Sequence, residues 1–145
     1  MRISVSCTTA APPARVWAAL ADISSHIEWM LDAESITFVG DRRRGEGTTF
    51  DCRTRVGPLV LRDRMVVTGW DEGRAIAVQH DGAVSGNGVF EIRPYGAGTD
   101  IAWTETLTFP ARLGGRLTAA AARPVLTWIW RGNLRRLVRN VGGIT

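Results

Sequence analysis

The sequence predicts an α+β fold in which one strand and two short helices precede a six-stranded antiparallel meander and a long C-terminal helix. Three observations carry this. Runs of alternating apolar and polar residues recur along the chain with the period of half-buried strands. From residue 34 onward these runs are joined by short glycine-bearing turns, which connect antiparallel neighbours directly, whereas parallel strands need long crossovers. The last ~30 residues lose the β-branched alternation and fill with Ala, Leu and Arg, which favour helix.

Taken in order, Ile3-Ser4-Val5-Ser6-Cys7 alternates and forms the first strand. Pro12 and Pro13 stop it. A proline N–H is not missed in a first helical turn, so the same pair opens a short helix through Leu20, with Val16, Trp17 and Leu20 as its packing face. A second short helix covers Ile23 to Trp29, with Asp22 or Ser24 as its cap. Strand-like runs follow near 34–40, 47–56, 59–70, 74–80, 86–94 and 99–109. Turns fall at Gly45-Glu46-Gly47, Gly57-Pro58, Asp71-Glu72-Gly73, Asp81-Gly82 and Gly96-Ala97-Gly98. On a helical wheel the final segment carries two apolar clusters, Leu113, Leu117 and Ala121 on one side and Trp130, Leu134, Leu137 and Val141 roughly 120° away. Pro124 lies between them. It removes one hydrogen bond and clashes with the preceding turn, so a kink or break is expected there. The main helix then runs from Pro124 to Asn140 and ends at Gly142-Gly143.

At 145 residues and 45% hydrophobic, the chain has the size and apolar mass of one domain, 1–145, with no linker. All 18 of its Lys+Arg residues are Arg. Cys7 and Cys52 sit on different predicted strands outside any metal-like or C-x-x-C spacing, and read as buried thiols in a reducing cytoplasm. The N-terminus enters an alternating strand without a charged leader and apolar run, so no secretory signal is expected. The longest apolar stretch, Leu117 to Trp130, contains Arg123 and Pro124 and falls short of the ~20 residues of a membrane span. A soluble, cytoplasmic protein is the expectation. Charge is unevenly placed: residues 106–145 hold seven Arg and no acid, while residues 1–105 hold eleven Arg against fourteen acids. The basic end suits an anionic membrane surface or an acidic protein partner, or is a solvated helix face that needs neither.

The most pointed feature is Ile101-Ala102-Trp103-Thr104-Glu105-Thr106-Leu107-Thr108-Phe109. Alternation puts Ile101, Trp103, Glu105, Leu107 and Phe109 on one side of the strand and the threonines on the other, so a carboxylate points inward. In a filled apolar core it would cost several kcal/mol unless paired or neutralised, whereas a cavity with water or a ligand accommodates it. Glu105 therefore marks a pocket, or else sits near a sheet edge or pairs with an inward Arg.

The assembled pattern resembles the START-like superfamily, also called SRPBCC, which includes polyketide cyclases or dehydrases and lipid-transport proteins. The resemblance rests on the opening Val5 to Leu20 with its Pro-x-x-x-Val-Trp element, Asp22 followed by Trp29, and Gly45-x-Gly47-Thr48-x-Phe50. It continues through Trp70-Asp71-x-Gly73-Arg74, Gly98-Thr99-Asp100-Ile101-x-Trp103 and Trp130-Arg131-x-Asn133-Leu134. Together these cover nearly the whole chain. The resemblance implies a helix-grip fold, a seven-stranded curved antiparallel sheet wrapped around the long C-terminal helix, with an elongated cavity between them for a hydrophobic ligand. It supplies no substrate, because carriers, receptors and cyclases share that scaffold.

Within such a cavity, inward alternation nominates Phe50 and Cys52, Met65 and Val67, Phe90 and Ile92, and Trp103 with Glu105. Trp128 or Trp130 from the helix would close the volume. Aromatics and Met suit an apolar ligand and a packed core alike. The polar candidates are Asp63, His80, Asn87 and Glu105. Asp63 shares parity with Leu61, Met65 and Val67, and an acid there could promote the enolisation of an aldol cyclisation. His80 shares parity with Ile76 and Val78 beside an Asp-Gly turn, which places it either as a base at the cavity mouth or in solvent at the turn. No nucleophile elbow, P-loop or Gly-x-Gly-x-x-Gly unit is present, and His26 and His80 have no metal-like spacing, so neither a metal nor another cofactor is expected. Nucleic acid is an unlikely partner, since no aromatic platform interleaves with the arginines. Three functions remain: a binding or carrier protein for a small hydrophobic molecule, a polyketide cyclase or aromatase using Glu105 with Asp63 or His80, and a docking module working through the Arg-rich helix.

Overall fold

The computed structural model describes residues 1–142. Its elements are β1 (Arg2–Thr9), α1 (Pro13–Ala21), a 3-10 helix (Ile23–Glu28), β2 (Ala33–Val39), β3 (Thr49–Val56), β4 (Leu59–Asp71), β5 (Ala75–Gly82), β6 (Ser85–Tyr95), β7 (Gly98–Thr108), a 3-10 turn (Ala111–Leu113) and α2 (Gly115–Asn140). The seven strands form one antiparallel sheet in the order β1-β7-β6-β5-β4-β3-β2, so the meander runs from β2 to β7 and β1 returns to pair with the last strand. The curved sheet and the long C-terminal helix make a helix-grip architecture.

Alternation decides which side of the sheet is dry. On β7, Ile101, Trp103, Glu105 and Leu107 are buried while Thr106 and Thr108 are exposed; on β1, Ile3 and Val5 are buried between exposed Arg2, Ser4 and Ser6. In register, Val5 faces Trp103 and Ile3 faces Glu105. β7 lies one strand in from the edge, so Glu105 is not at a sheet edge.

The segment after α1 is a 3-10 helix with Asp22 as its N-cap residue, although the Asp22 carboxylate accepts the Ser24 hydroxyl at 2.7 Å rather than a backbone N–H. A buried Asn133 ties α2 to the chain leading into β2. Its Nδ2 donates to Asp32 at 2.7 Å, its Oδ1 accepts the Leu31 N–H at 3.2 Å and a bond from Arg136, and Arg136 Nε in turn donates to the Trp29 carbonyl at 3.0 Å. Opposite, Glu72 accepts the indole N–H groups of Trp17 (3.0 Å) and Trp70 (2.6 Å) and pairs with Arg44, joining α1 to two loops of the sheet.

α2 corrects the expectation of a break at Pro124, because it runs unbroken from Gly115 to Asn140. Pro124 and Ala120 are both exposed, so the Ala120 carbonyl that proline cannot serve is open to water. The two apolar clusters have different fates. The C-terminal half buries Trp130, Leu134, Leu137 and Val138 and packs against β1. The first cluster points outward, with Leu117 84% exposed. Trp128 is 77% exposed and takes no part in closing the interior, since two helical residues separate it from Trp130 by more than half a turn. Of the pair expected to end the helix, Gly142 has φ +78°, the left-handed conformation of a helix stop, and Gly143 lies outside the described residues. Among the described residues no helix is long and apolar enough to cross a membrane.

Candidate functional site

The first half of α2 lines the space over the sheet with small residues, Thr118 and Ala122, followed by Leu126 and with Ala121 and Val125 at the margin, and these short side chains do not fill it. The space left is a cavity of about 420 Å³. Its walls include Phe50 and Cys52 of β3, Leu61 and Met65 of β4, Ile76 and Val78 of β5, Phe90 of β6 and Trp103 of β7, closed at one side by Trp130. Aromatic rings stiffen one wall. Trp29 meets Phe90 edge-on at 5.9 Å between centroids, Phe90 lies 4.8 Å from Trp103, and Trp103 lies 5.1 Å from Trp130. Phe50, Met65, Phe90, Trp103 and Trp130 thus line the cavity and Trp128 does not. Of the remaining nominees Cys52 lines it as well, Val67 and Ile92 pack in the core, and Asn87 is exposed on the outer face. Cys52 is a buried free thiol and Cys7 a half-buried one.

The cavity's polar groups gather across four strands. His80 on β5 pairs in register with Gly86 on β6, and Gly88, two residues on, pairs with Glu105 on β7. β6 therefore puts no side chain between them on the inner face, and the imidazole reaches across it: His80 Nε2 lies 2.9 Å from Glu105 Oε2. This is a charge contact rather than a well-aligned hydrogen bond. The other carboxylate oxygen, Oε1, accepts the indole N–H of Trp103 at 2.9 Å. A Cβ on Gly88 would collide with the Glu105 carboxylate, and one on Gly82, the register partner of Asp63, would collide with the Asp63 side chain. Both glycines leave room for an acid. Glu105 thus meets an inward histidine, not an arginine.

Asp63 completes the group. It is 9% exposed, and its Oδ1 is buried without a hydrogen-bond partner. Burial pushes its carboxyl above the usual range, against the pull of His80 and the backbone of Ala83 and Val84. Burial alone would push His80 down, but Glu105 beside it and the charge of Asp63 lift its imidazole above the ordinary value. The side chain of His80 is 15% exposed and turned toward the cavity, not into solvent at the turn.

A further polar residue, passed over in the sequence except as an unlikely metal ligand, lines the same cavity. His26 Nε2 lies 2.8 Å from the Leu20 carbonyl, which can only accept, so Nε2 carries the proton and Nδ1 the lone pair. Burial depresses its pKa to about 4 and keeps the ring neutral. The signal available in the sequence was its spacing of three from Ile23, which shares its buried helical face. Among the described residues no three His, Cys, Asp or Glu side chains gather as a metal site. The whole is a room for an apolar body, with hydrogen-bonding and proton-exchanging groups concentrated at His80, Glu105 and Asp63.

Comparison with solved structures agrees with this geometry at the level of fold. The Thermus thermophilus protein TTHA0849 superposes with a TM-score of 0.82 at 20% identity, covering 97% of each chain. The Zhui aromatase/cyclase of Streptomyces sp. R1128 gives 0.73 at 15% identity over 98% of this chain and 93% of its own. The di-domain aromatase/cyclase StfQ of the steffimycin biosynthetic pathway gives 0.77 at 16% identity, with 95% of this chain matching 49% of the larger one. No curated protein matches in sequence. Residues 1–142 match the family described as polyketide cyclase/dehydrase and lipid transport, and the chain belongs to that family.

Proposed function

We propose that this protein binds a small, largely hydrophobic molecule whose one polar end, a hydroxyl or a carbonyl, meets Asp63, His80 and Glu105. The observation that carries the reading is the partnerless buried oxygen of Asp63 in the wall of an apolar cavity. Such a group costs free energy unless something arrives to bond it. Phe50, Met65, Phe90, Trp103 and Trp130 hold the apolar body. The test is uptake of the uncharged dye N-phenylnaphthylamine, with native mass spectrometry of protein from its own host to identify any co-purifying molecule. Ala122→Trp fills the roof of the cavity and is expected to weaken dye uptake at least about tenfold while the circular dichroism spectrum is kept. Equal uptake by the two proteins rejects the cavity as the site.

A second reading, acid–base catalysis of a cyclisation or dehydration, draws support from the same trio. A protonated His80 held by Glu105 donates toward a ligand carbonyl oxygen, while the Asp63 carboxylate takes a proton from the adjacent carbon. The enol forms with both protons accounted for. The aromatase/cyclases that share the fold make this chemistry worth assaying. Turnover of a poly-β-ketone thioester analogue, lost in Glu105→Gln while dye binding persists, separates an enzyme from a carrier. Identical product profiles with and without the protein reject catalysis on that substrate.

A further inference from the structure

We propose that the outward face of the first half of α2 docks onto an anionic lipid bilayer. Leu117, Ala121, Pro124 and Trp128 follow one another at helical spacing on one exposed stripe roughly 16 Å long. Leu117 is 84% exposed, Trp128 77% and the neighbouring Val125 48%, a concentration of large apolar side chains in water that no other element repeats among the described residues.

The charges around the stripe choose the occupant. Arg116 and Arg123 run along one side of it, and farther along the helix the same outward face carries Arg131, Arg135 and Arg139. No acid follows Glu105 in the chain, and none of these five arginines has a carboxylate within ion-pair distance among the described residues. An apolar stripe bordered on one side and extended along its face by unneutralised arginine fits the boundary between acyl chains and anionic headgroups, where Trp also prefers to sit. A second copy of the chain fits worse. Parallel pairing of two such helices would set the arginine rows against each other, and antiparallel pairing would set arginine against Leu117 and Trp128.

The position of the stripe gives docking a use. Thr118, Ala122 and Leu126, on the opposite face of the same turns, roof the cavity. Docking therefore lays the cavity's roof against the membrane. The inference needs no bound ligand and stands apart from the ligand reading above.

Flotation of the purified chain with vesicles tests it, using phosphatidylcholine alone and phosphatidylcholine mixed with phosphatidylglycerol. The protein is expected to float with the mixed vesicles and not with the neutral ones, and to fall away as salt is raised. Replacing Arg131 and Arg135 by Glu is expected to weaken partitioning by more than about fivefold per residue, since each change removes one favourable charge and adds an unfavourable one. The double variant Leu117→Ser with Trp128→Ser is expected to weaken it at least about tenfold. All four side chains are exposed, so both variants are expected to keep the parent's circular dichroism spectrum and thermal midpoint. Failure of the parent to float with mixed vesicles at low salt overturns the proposal. Flotation of the serine variant equal to the parent's also overturns it, because arginine alone would then explain the binding. Self-association abolished by the serine changes would assign the stripe to a second copy instead.

Discussion

His26 and His80 stand in two regions of one cavity wall, and the protein pushes them in opposite directions. His26, beside Trp29 and Phe90, has a single polar partner, the neutral Leu20 carbonyl, so burial wins and its pKa falls to about 4. His80, two strands from Glu105 and close to Asp63, is also buried, yet the two acids outweigh burial and raise it. Burial thus does not set the charge of a cavity wall by itself; the partner does. The His26 region stays neutral and apolar, whereas the His80 region favours the charged imidazole.

The comparison can be broken most strongly by acid. The folded pKa of His26 lies below its unfolded value, so the native state binds fewer protons there. That contribution is fully present above about pH 6.5 and is lost as pH falls toward 4. The full shift is worth about 3 kcal/mol. Urea unfolding of the parent and of His26→Gln, followed from pH 8 to pH 4, is expected to show an acid loss in the parent that the glutamine variant lacks. Equal slopes in the two proteins would mean that His26 is not held neutral.

His80 carries the opposite sign. A raised folded pKa contributes stability that is present below about pH 6.5 and lost as pH rises through the folded value, so His80 partly offsets His26 in acid. Glu105→Gln keeps the shape and the acceptor for Trp103 but removes the charge. Burial then takes over, and the His80 pKa is expected to drop below the ordinary imidazole value, with a loss of about 2 kcal/mol at pH 6. Imidazole proton shifts measured by NMR across a titration check the direction, and an unmoved His80 would detach it from Glu105.

Much of this was legible in the sequence, for definite reasons. The two-residue period of Ile101 to Phe109 fixes the side on which Glu105 lies, and the same parity on two other strands turns Asp63 and His80 inward. What could not be read is their meeting. His80 reaches Glu105 only because β6 carries Gly86 and Gly88 where it crosses between them, and that register is a property of the assembled sheet. The helix shows the converse. Leu117 and Trp128 look like core residues by composition, and only the curved sheet, gripping the second half of α2 and leaving the cavity under the first, turns them outward. Pro124 does not break the helix for a related reason, since Ala120, whose carbonyl it cannot serve, is exposed.

The smallest expected effect bears on what the His80 region is for. Asp63 Oδ1 is buried with neither a hydrogen bond nor an ion pair, whereas the equally unbonded Glu105 Oε2 has its charge contact with His80; the Asp63 carboxyl is raised, so the ionised form is held at a cost. The contribution of a carboxyl raised in the native state is most favourable in acid and is lost as pH climbs through the folded pKa. Asp63→Asn, a neutral group of the same shape, is therefore expected to stabilise the empty protein at pH 7 by roughly 1 kcal/mol, less whatever attraction to His80 it gives up. If Asp63 serves a ligand, the same change weakens binding of whatever molecule co-purifies with the parent. Higher stability together with weaker binding is the signature of a residue kept for function, whereas a fall in both would make Asp63 a structural partner of His80 and move the polar end of the site to Glu105 alone.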